Sequence, residues 1–551
     1  MSADMRGIPP RIPPGGHGLP RELPESVDIY DTTLRDGSQQ EGLSLTVDDK
    51  LRVAEQLDHL GVAYIEGGWP GANPKDAEFF RRAAAGELRL HHATLVAFGS
   101  TRKAGGRAET DPVLADLLAA ATPVVCLVAK SARWHVTETL RTSLTEAIDM
   151  VADSVAYLRS EGRRVFVDAE HFFDGHRDHP RFPLDVLLAA EEAGAEAVVL
   201  CDTNGGSLPF EVEAIVGAVR DRVGITLGGH FHNDSGCAVA NSLAAVRQGA
   251  THVQGCVNGY GERTGNADLA AVVPDLTVKM GVETIPRERL GRLTAVAHHI
   301  AEVVNVAPDP HQPFVGVSAF AHKAGLHTSA IARQPGAYEH VAPEAVGNGA
   351  RFVVSEMAGR STVALKAEEL GLALPEAVLG DVVERLKQLE HGGFHFEVAD
   401  GSLELLLRQA AGWKQPFFRL ESHRVITDLR EDGSFVTEAT VKLHVGDERV
   451  LATAEGNGPV NALDAALRKA IGPAHPALSH IHLTDYKVRV LDTARGTEAV
   501  TRVLVDSTDG ERTWTTTGVS PNVIEASWAA LEDSVVLGLL HAGDAGQTGR
   551  P

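Results

Sequence analysis

Between residue 27 and about residue 260 the chain repeats one local pattern eight times: a short apolar run rich in β-branched residues, then an amphipathic stretch at helical spacing. The runs are VDIYDTTL (27–34), AYIEGGW (63–69), TLVAFG (94–99), VVCLVAK (124–130), VFVDAEHF (165–172), AVVLCDTN (197–204), TLGGHFHN (226–233) and HVQGCVNG (252–259). Apolar strands separated by helices lie parallel and are buried on both faces. Eight such units predict a closed (β/α)8 TIM barrel. A doubly wound open sheet is built from the same units, and periodicity alone does not decide closure. The clearest helix is TVDDKLRVAEQLDHLG (46–61): Val47, Leu51, Ala54, Leu57 and Leu60 share a face, Thr46 with Asp49 matches a capping box, and Gly61 is a natural stop.

Polar residues gather at or just beyond the C-terminal ends of the runs: Asp36, Glu170, Thr203, His230, His232 and Asn266. In a barrel that rim carries the chemistry. His230 and His232 are spaced i, i+2, so on a strand both imidazoles point to one face. With Asp36 they offer mixed nitrogen and oxygen donors for a divalent cation, and the donor types suit Mg²⁺, Mn²⁺ or Zn²⁺ alike. The plainer alternative is an Arg35–Asp36 ion pair and two structurally satisfied histidines. Asn258 and Asn266 open and close the text NGYGERTGN, and spacing leaves open which of them could join the cluster.

A chain of 551 residues exceeds one compact core. We expect flexible tails at 1–25 and 542–551, the barrel at 26–285, mainly helical linker subdomains at 286–412 with Pro/Gly breaks at 308–313 and 335–336, and a C-terminal α+β regulatory domain at 413–541. The last domain contains strand texts such as ATVKLHV (439–445) and YKVRVLD (486–492). It also repeats itself: GNGPVNALDAALRKA (456–470) and GVSPNVIEASWAALED (518–533) both open on Gly, reach Pro three residues on and become Ala-rich helices, which predicts two similar β-then-α units. A net charge of −23 argues against nucleic acid or an anionic membrane surface as partner. No apolar run is long enough to span a membrane, and the N-terminus has no signal-peptide core. Four cysteines without a C-x-x-C pair fit reduced thiols in the cytoplasm. The glycine texts do not form a dinucleotide fingerprint.

DTTLRDGSQ (31–39), HFHND (230–234) and NGYGERTGN (258–266), in this order, resemble the signature texts of the DRE-TIM metallolyases, specifically the 2-isopropylmalate/homocitrate/citramalate synthase family. With EGGWPGANPKD (66–76) the chain is most similar to the bacterial citramalate synthase branch. The resemblance covers nearly the whole chain, including a C-terminal region similar to the LeuA-type regulatory domain. It implies a metal held by Asp36, His230, His232 and Asn266, with Arg35 polarising the ketone of a 2-oxo acid and stabilising the alkoxide that forms. Gln39 and Thr203 would contact that substrate; Asn204 after Thr203 is a small departure from the family text. Glu170 would order the acetyl group or a water, or move a proton, although the following HFFDG differs from the usual E-D-A. Glu262 would support the site. The methyl proton of acetyl-CoA would be taken by His327 with Tyr338 nearby, acting in the neighbouring subunit of a homodimer; H-T-S-A (327–330) replaces the usual H-x-D-G, and His322 is a local competitor. Imidazole suits the task because its pKa lies near neutrality.

The implied activity is condensation of acetyl-CoA with pyruvate and water to give (R)-citramalate and CoA, the first step of a threonine-independent isoleucine route. The alternative acceptor is 2-oxoisovalerate, giving 2-isopropylmalate. A branched-chain amino acid, isoleucine first, is the implied effector. A lyase on the same barrel would not need the long regions after it, and a non-catalytic amino-acid sensor would be expected to lose Arg35 or His327.

Overall fold

The computed structural model describes residues 22–322, 327, 330–331, 333–352, 354, 358–429, 431–491, 496 and 498–547. Most of the expected N-terminal tail and parts of the text 322–338 lie outside the described residues. Strands β1 (Asp28–Asp31), β2 (Tyr64–Gly68), β3 (Thr94–Ser100), β4 (Val124–Lys130), β5 (Arg164–Glu170), β6 (Ala197–Asp202), β7 (Thr226–Phe231) and β8 (His252–Gly255) each pair in parallel with the next. β1 also pairs with β8, Asp28 against His252 through Asp31 against Gly255, so the sheet is a closed barrel and the open-sheet alternative is excluded.

Several strands stop earlier than their apolar texts. β1 ends at Asp31 because its carboxylate accepts from Thr33 N and Thr33 Oγ1, both at 2.9 Å, which bends the chain off the ladder. β6 ends at Asp202 for the same reason: Ser207 N and Oγ donate to it at 3.0 and 2.9 Å. Of the polar rim residues, Glu170 and His230 are thus on their strands, while Asp36, Thr203, His232 and Asn266 follow on the turns beyond the strand ends.

Helix α1 (Val47–Leu60) has the expected ends, a reciprocal Thr46–Asp49 capping box and Gly61 at φ 96°. Leu51, Ala54, Leu57 and Leu60 are buried as the periodicity requires, while Val47 is only half-buried. The buried face is wider than the apolar stripe, since Val53 and Lys50 are also enclosed. Lys50 is accommodated by pairing with Asp76 and donating to Gly67 O at 3.0 Å. Asp76 in turn accepts from Trp69 N at 2.9 Å, which pins the loop after β2.

The barrel interior is closed by Tyr30, Tyr64, Phe166 and His252, with Tyr30–His252 and Tyr64–Phe166 centroids both 5.1 Å apart. Burial alone pushes His252 down to about 3, so it is a neutral core ring. After the barrel, the helix Leu293–Val303 covers it, and residues 304–320 run mostly as turns, because Pro308, Pro310 and Pro313 interrupt the expected helical region. Among the described residues, those in 22–320 and 339–350 form one compact unit, and those in 321–338 and 351–547 form a second.

The second unit contains a short parallel pair, β9 (Ala321–His322) with β10 (Arg351–Phe352), and helices Arg360–Glu369, Glu376–His391 and Asp400–Ala410. Two matching halves follow. β11 (Arg419–Leu429), β12 (Phe435–Val445) and β13 (Glu448–Gly456) lead into the helix Pro459–Ile471. β14 (His482–Val490), β15 (Thr501–Thr508) and β16 (Thr513–Ser520) lead into the helix Val523–Gln547, which extends six residues past the end at 541 expected from sequence. Each repeated text spans a third strand's end and the start of its helix, so the internal repeat is a β-β-β-α unit. Among the described residues no helix is long and apolar enough to cross a membrane.

Candidate active site

The turn after β1 presents Arg35 and Asp36 because it is tied down on both sides. Thr32 N donates to Gly255 O at 2.8 Å, and Val257 N donates to Thr33 Oγ1 at 3.0 Å, locking the turn to the end of β8. Asp36 Oδ2 then lies 3.3 Å from His230 Nε2 and 3.7 Å from His232 Nε2, and the two Nε2 atoms are 3.2 Å apart. All three side chains are buried.

Arg35 forms an ion pair with buried Glu66 of β2, and its guanidinium carbon lies 3.7 Å over the Phe98 ring. Tyr30 OH donates to the other Glu66 oxygen at 2.5 Å. The partner of Arg35 is thus Glu66; Asp36 acts on it through space. Burial opposes charge on Arg35, but Glu66 and then Asp36 outweigh it and hold the guanidinium firmly protonated. Burial likewise opposes charge on Asp36, and Arg35 followed by His230 holds its carboxyl well below the usual range. His230 is pushed down by burial and raised overall by its bond to Asp36. His232 falls to about 4 through burial and the neighbouring His230.

The donor set fits a divalent cation. Two imidazole nitrogens and a carboxylate oxygen face one another, and two such nitrogens at 3.2 Å cannot both carry protons. Asn266 is a β-bridge partner of His232. Its Nδ2 donates to Tyr260 O at 3.0 Å, while its buried Oδ1 has no hydrogen-bond partner among the described residues. Asn258 is fully used: Nδ2 donates to Ala297 O at 2.9 Å and Oδ1 accepts from Gln312 at 3.1 Å. The glycines of the loop make this possible. Gly261 has φ 145° and a Cβ there would lie 2.2 Å from Asn266 Nδ2; Gly265 has φ 85° and a Cβ would lie 1.9 Å from Gly259 O.

Arg35, Asp36, Gln39, Glu170, Thr203, His230 and His232 line one cavity of about 610 Å³ at the rim. Asn266 lines the adjoining cavity behind the glycine loop. Thr203 Oγ1 accepts from His171 N at 2.8 Å, so it also serves as a turn cap. Glu170 is paired with Lys130 at the end of β4. Glu262 is exposed at the cavity edge. His327 and Tyr338 belong to the second compact unit, where their rings stack at 4.0 Å.

Sequence reasoning missed Glu66, Phe98, Lys130, Asp168 and Gln254. Two of them carried a usable signal: Glu66 is a carboxylate inside an apolar strand text, and Asp168 precedes Glu170 by two and shares its face.

The closed barrel with an Asp–His–His cluster at its C-terminal rim defines an HMGL-like metal-dependent barrel enzyme, and residues 26–300 match the HMGL-like family. Residues 314–393 match the homocitrate synthase post-HMGL domain-like family, and 397–538 the LeuA allosteric (dimerisation) domain. The chain is 55% identical to an (R)-citramalate synthase of Streptomyces coelicolor, over 95% of this chain and 98% of that protein. It is 51% identical to one from Synechocystis (93% and 96%) and 48% identical to one from Aquifex aeolicus (94% and 98%). The chain belongs to the (R)-citramalate synthase family.

Proposed function

We propose that the chain condenses acetyl-CoA with pyruvate and water to give (R)-citramalate and CoA, opening a threonine-independent route to isoleucine. The observation that carries this reading is the convergence of Asp36, His230 and His232 beside Arg35 in one rim cavity. Asp36, His230, His232 and Asn266 would hold the cation. When bound it would polarise the carbonyl of a chelating 2-oxo acid.

Arg35, kept cationic by Glu66, stabilises negative charge developing on the ketone oxygen. Gln39 and Thr203 bind the acceptor carboxylate. Glu170, held by Lys130, orders the acetyl group or the water. His327, with Tyr338 stacked on it, takes the methyl proton. The C–H electron pair becomes the new C–C bond to the ketone carbon, the C=O π pair moves to the ketone oxygen, which takes up a proton to give the alcohol, and water cleaves the thioester to release the carboxylate and CoA. Trp69, Phe98, Val128 and Leu140 supply apolar lining to the cavity; one or two methyl groups on the acceptor are worth about 1–3 kcal/mol of discrimination.

The domain limits of this reading are 26–285 for the barrel, 286–412 for the linker subdomains and 413–541 for the regulatory domain. The regulatory domain dimerises the enzyme and binds isoleucine. A cavity of about 770 Å³ there offers the helix N-terminus at Gly458, with Asp464, Tyr486 and the apolar Val460 and Leu483, suited to a carboxylate, an ammonium and an aliphatic side chain. The compartment is the cytoplasm.

The test is CoA release, followed by thiol colorimetry, with pyruvate, 2-oxobutyrate, 2-oxoisovalerate and 2-oxoglutarate compared by kcat/KM. Preference for pyruvate supports the reading. Preference for 2-oxoisovalerate replaces it with 2-isopropylmalate synthesis, and no release with any acceptor in metal-replete buffer rejects condensation. Isoleucine should inhibit the full-length chain more strongly than leucine does, and a chain ending near residue 415 should be insensitive to both.

A further inference from the structure

His230 and His232 share a strand spacing, yet their outer nitrogens meet different surroundings. His230 Nδ1 lies 2.9 Å from Gln254 Oε1, and Gln254 Nε2 donates to Asp168 Oδ1 at 2.9 Å. His232 Nδ1 is buried and, among the described residues, has no hydrogen-bond partner. The difference comes from the barrel itself. Gln254 is the register partner of His230 across β7 and β8, whereas Asp168 comes from β5.

A primary amide has one donor end and one acceptor end. Asp168 takes the donor end, so the carbonyl end of Gln254 must face His230. His230 Nδ1 therefore carries the proton, and Nε2 directs its lone pair to the point where Asp36 Oδ2 lies 3.3 Å away. Gln254, Asp168 and His230 are all buried, so water cannot take over either bond.

We propose that Gln254 and Asp168 are positioning residues that set the tautomer and ring orientation of His230 for cation binding, leaving His232 to be oriented by the cation itself. The inference rests on the metal-site part of the function proposed above. Nothing in the signature texts marks either residue, because the relay depends on which strands are neighbours.

The test is calorimetric titration of the metal-stripped full-length protein with Mn²⁺ and with Zn²⁺. Gln254→Leu removes both ends of the amide and should weaken binding about 10–100-fold, the effect usual for partners of ligating histidines. Gln254→Glu keeps an acceptor for His230, with a shared proton towards Asp168, and should bind as the wild type does. Asp168→Asn lets the Gln254 amide turn over and should weaken binding by a smaller factor, which keeps the proposal testable if Gln254→Leu fails to fold. Wild-type affinity in Gln254→Leu or Asp168→Asn would overturn the relay, as would equal losses in Gln254→Leu and Gln254→Glu. Failure of the wild type to bind either cation overturns the relay together with the metal site. The expected variant pattern supports the relay even where no acceptor releases CoA, an outcome that counts against the functional reading alone.

Discussion

Arg35 answers two demands, and removing it separates them. In Arg35→Ala the cavity loses the guanidinium proposed above to face the developing alkoxide. By comparison with loss of one oxyanion donor this costs about 3–4 kcal/mol of transition-state stabilisation, or roughly two to three orders of magnitude in kcat. The same substitution strands Glu66, a fully buried carboxylate whose remaining donor is Tyr30 OH at 2.5 Å. Breaking a buried pair usually costs about 3–5 kcal/mol. Burial, however, already pushes Glu66 above the ordinary carboxylate range even with Arg35 present, so without Arg35 it takes up a proton and part of that cost disappears. The double variant Arg35→Ala/Glu66→Gln removes the stranded charge altogether. Its thermal midpoint should recover towards the wild type while its turnover stays low, and the metal content of both variants should remain near normal because Asp36, His230 and His232 are untouched. The assay is CoA release at saturating pyruvate and acetyl-CoA, with metal analysis and thermal unfolding on the same preparations. Turnover restored in the double variant, or Arg35→Ala within about tenfold of the wild type, would reduce Arg35 to a structural counter-ion and refute the electrophilic role.

Asp36→Ala should lose metal and turnover together, and metal analysis alone distinguishes it from Arg35→Ala. Gly261→Ala places a Cβ 2.2 Å from Asn266 Nδ2 and should weaken cation binding by displacing Asn266 while every proposed ligand keeps its identity; unchanged affinity would remove Asn266 from the ligand set. Asp31 is raised to about 7 by burial, partly offset by Thr33, from an ordinary 3.8. A raised carboxyl stabilises the fold when protonated, so its contribution is present below about pH 4 and is lost as pH rises through about 7. Asp31→Asn should therefore gain on the wild type in urea midpoint between about pH 5 and about pH 8, and a constant gap would show that Asp31 does not titrate there.

The barrel was legible because its signal is local. Eight apolar strand texts separated by amphipathic helices can bury both faces in few ways, and α1 carried its own stop and start in Thr46, Asp49 and Gly61. The H-x-H text was legible for the same reason, since two residues on one strand face need no partner to be read. Strand ends were not: Asp31 and Asp202 bend the chain through hydrogen bonds that outrank the β-propensity of the residues after them. Nor was the contrast between Asn258 and Asn266: Ala297 and Gln312 claim the Asn258 amide, whereas among the described residues Asn266 Oδ1 has no hydrogen-bond partner.

Sequence alone thus determined the eight β/α units, the repeat-built C-terminal domain and the same-face pair His230 and His232, because burial period and same-strand spacing act between near neighbours. Tertiary structure alone decided that Glu66 answers Arg35, that Gln254 and Asp168 stand behind His230, and that Lys130 holds Glu170. Those pairings join different strands. Once water is excluded, each buried charge or amide must satisfy itself with whatever the closed barrel brings within about 3 Å.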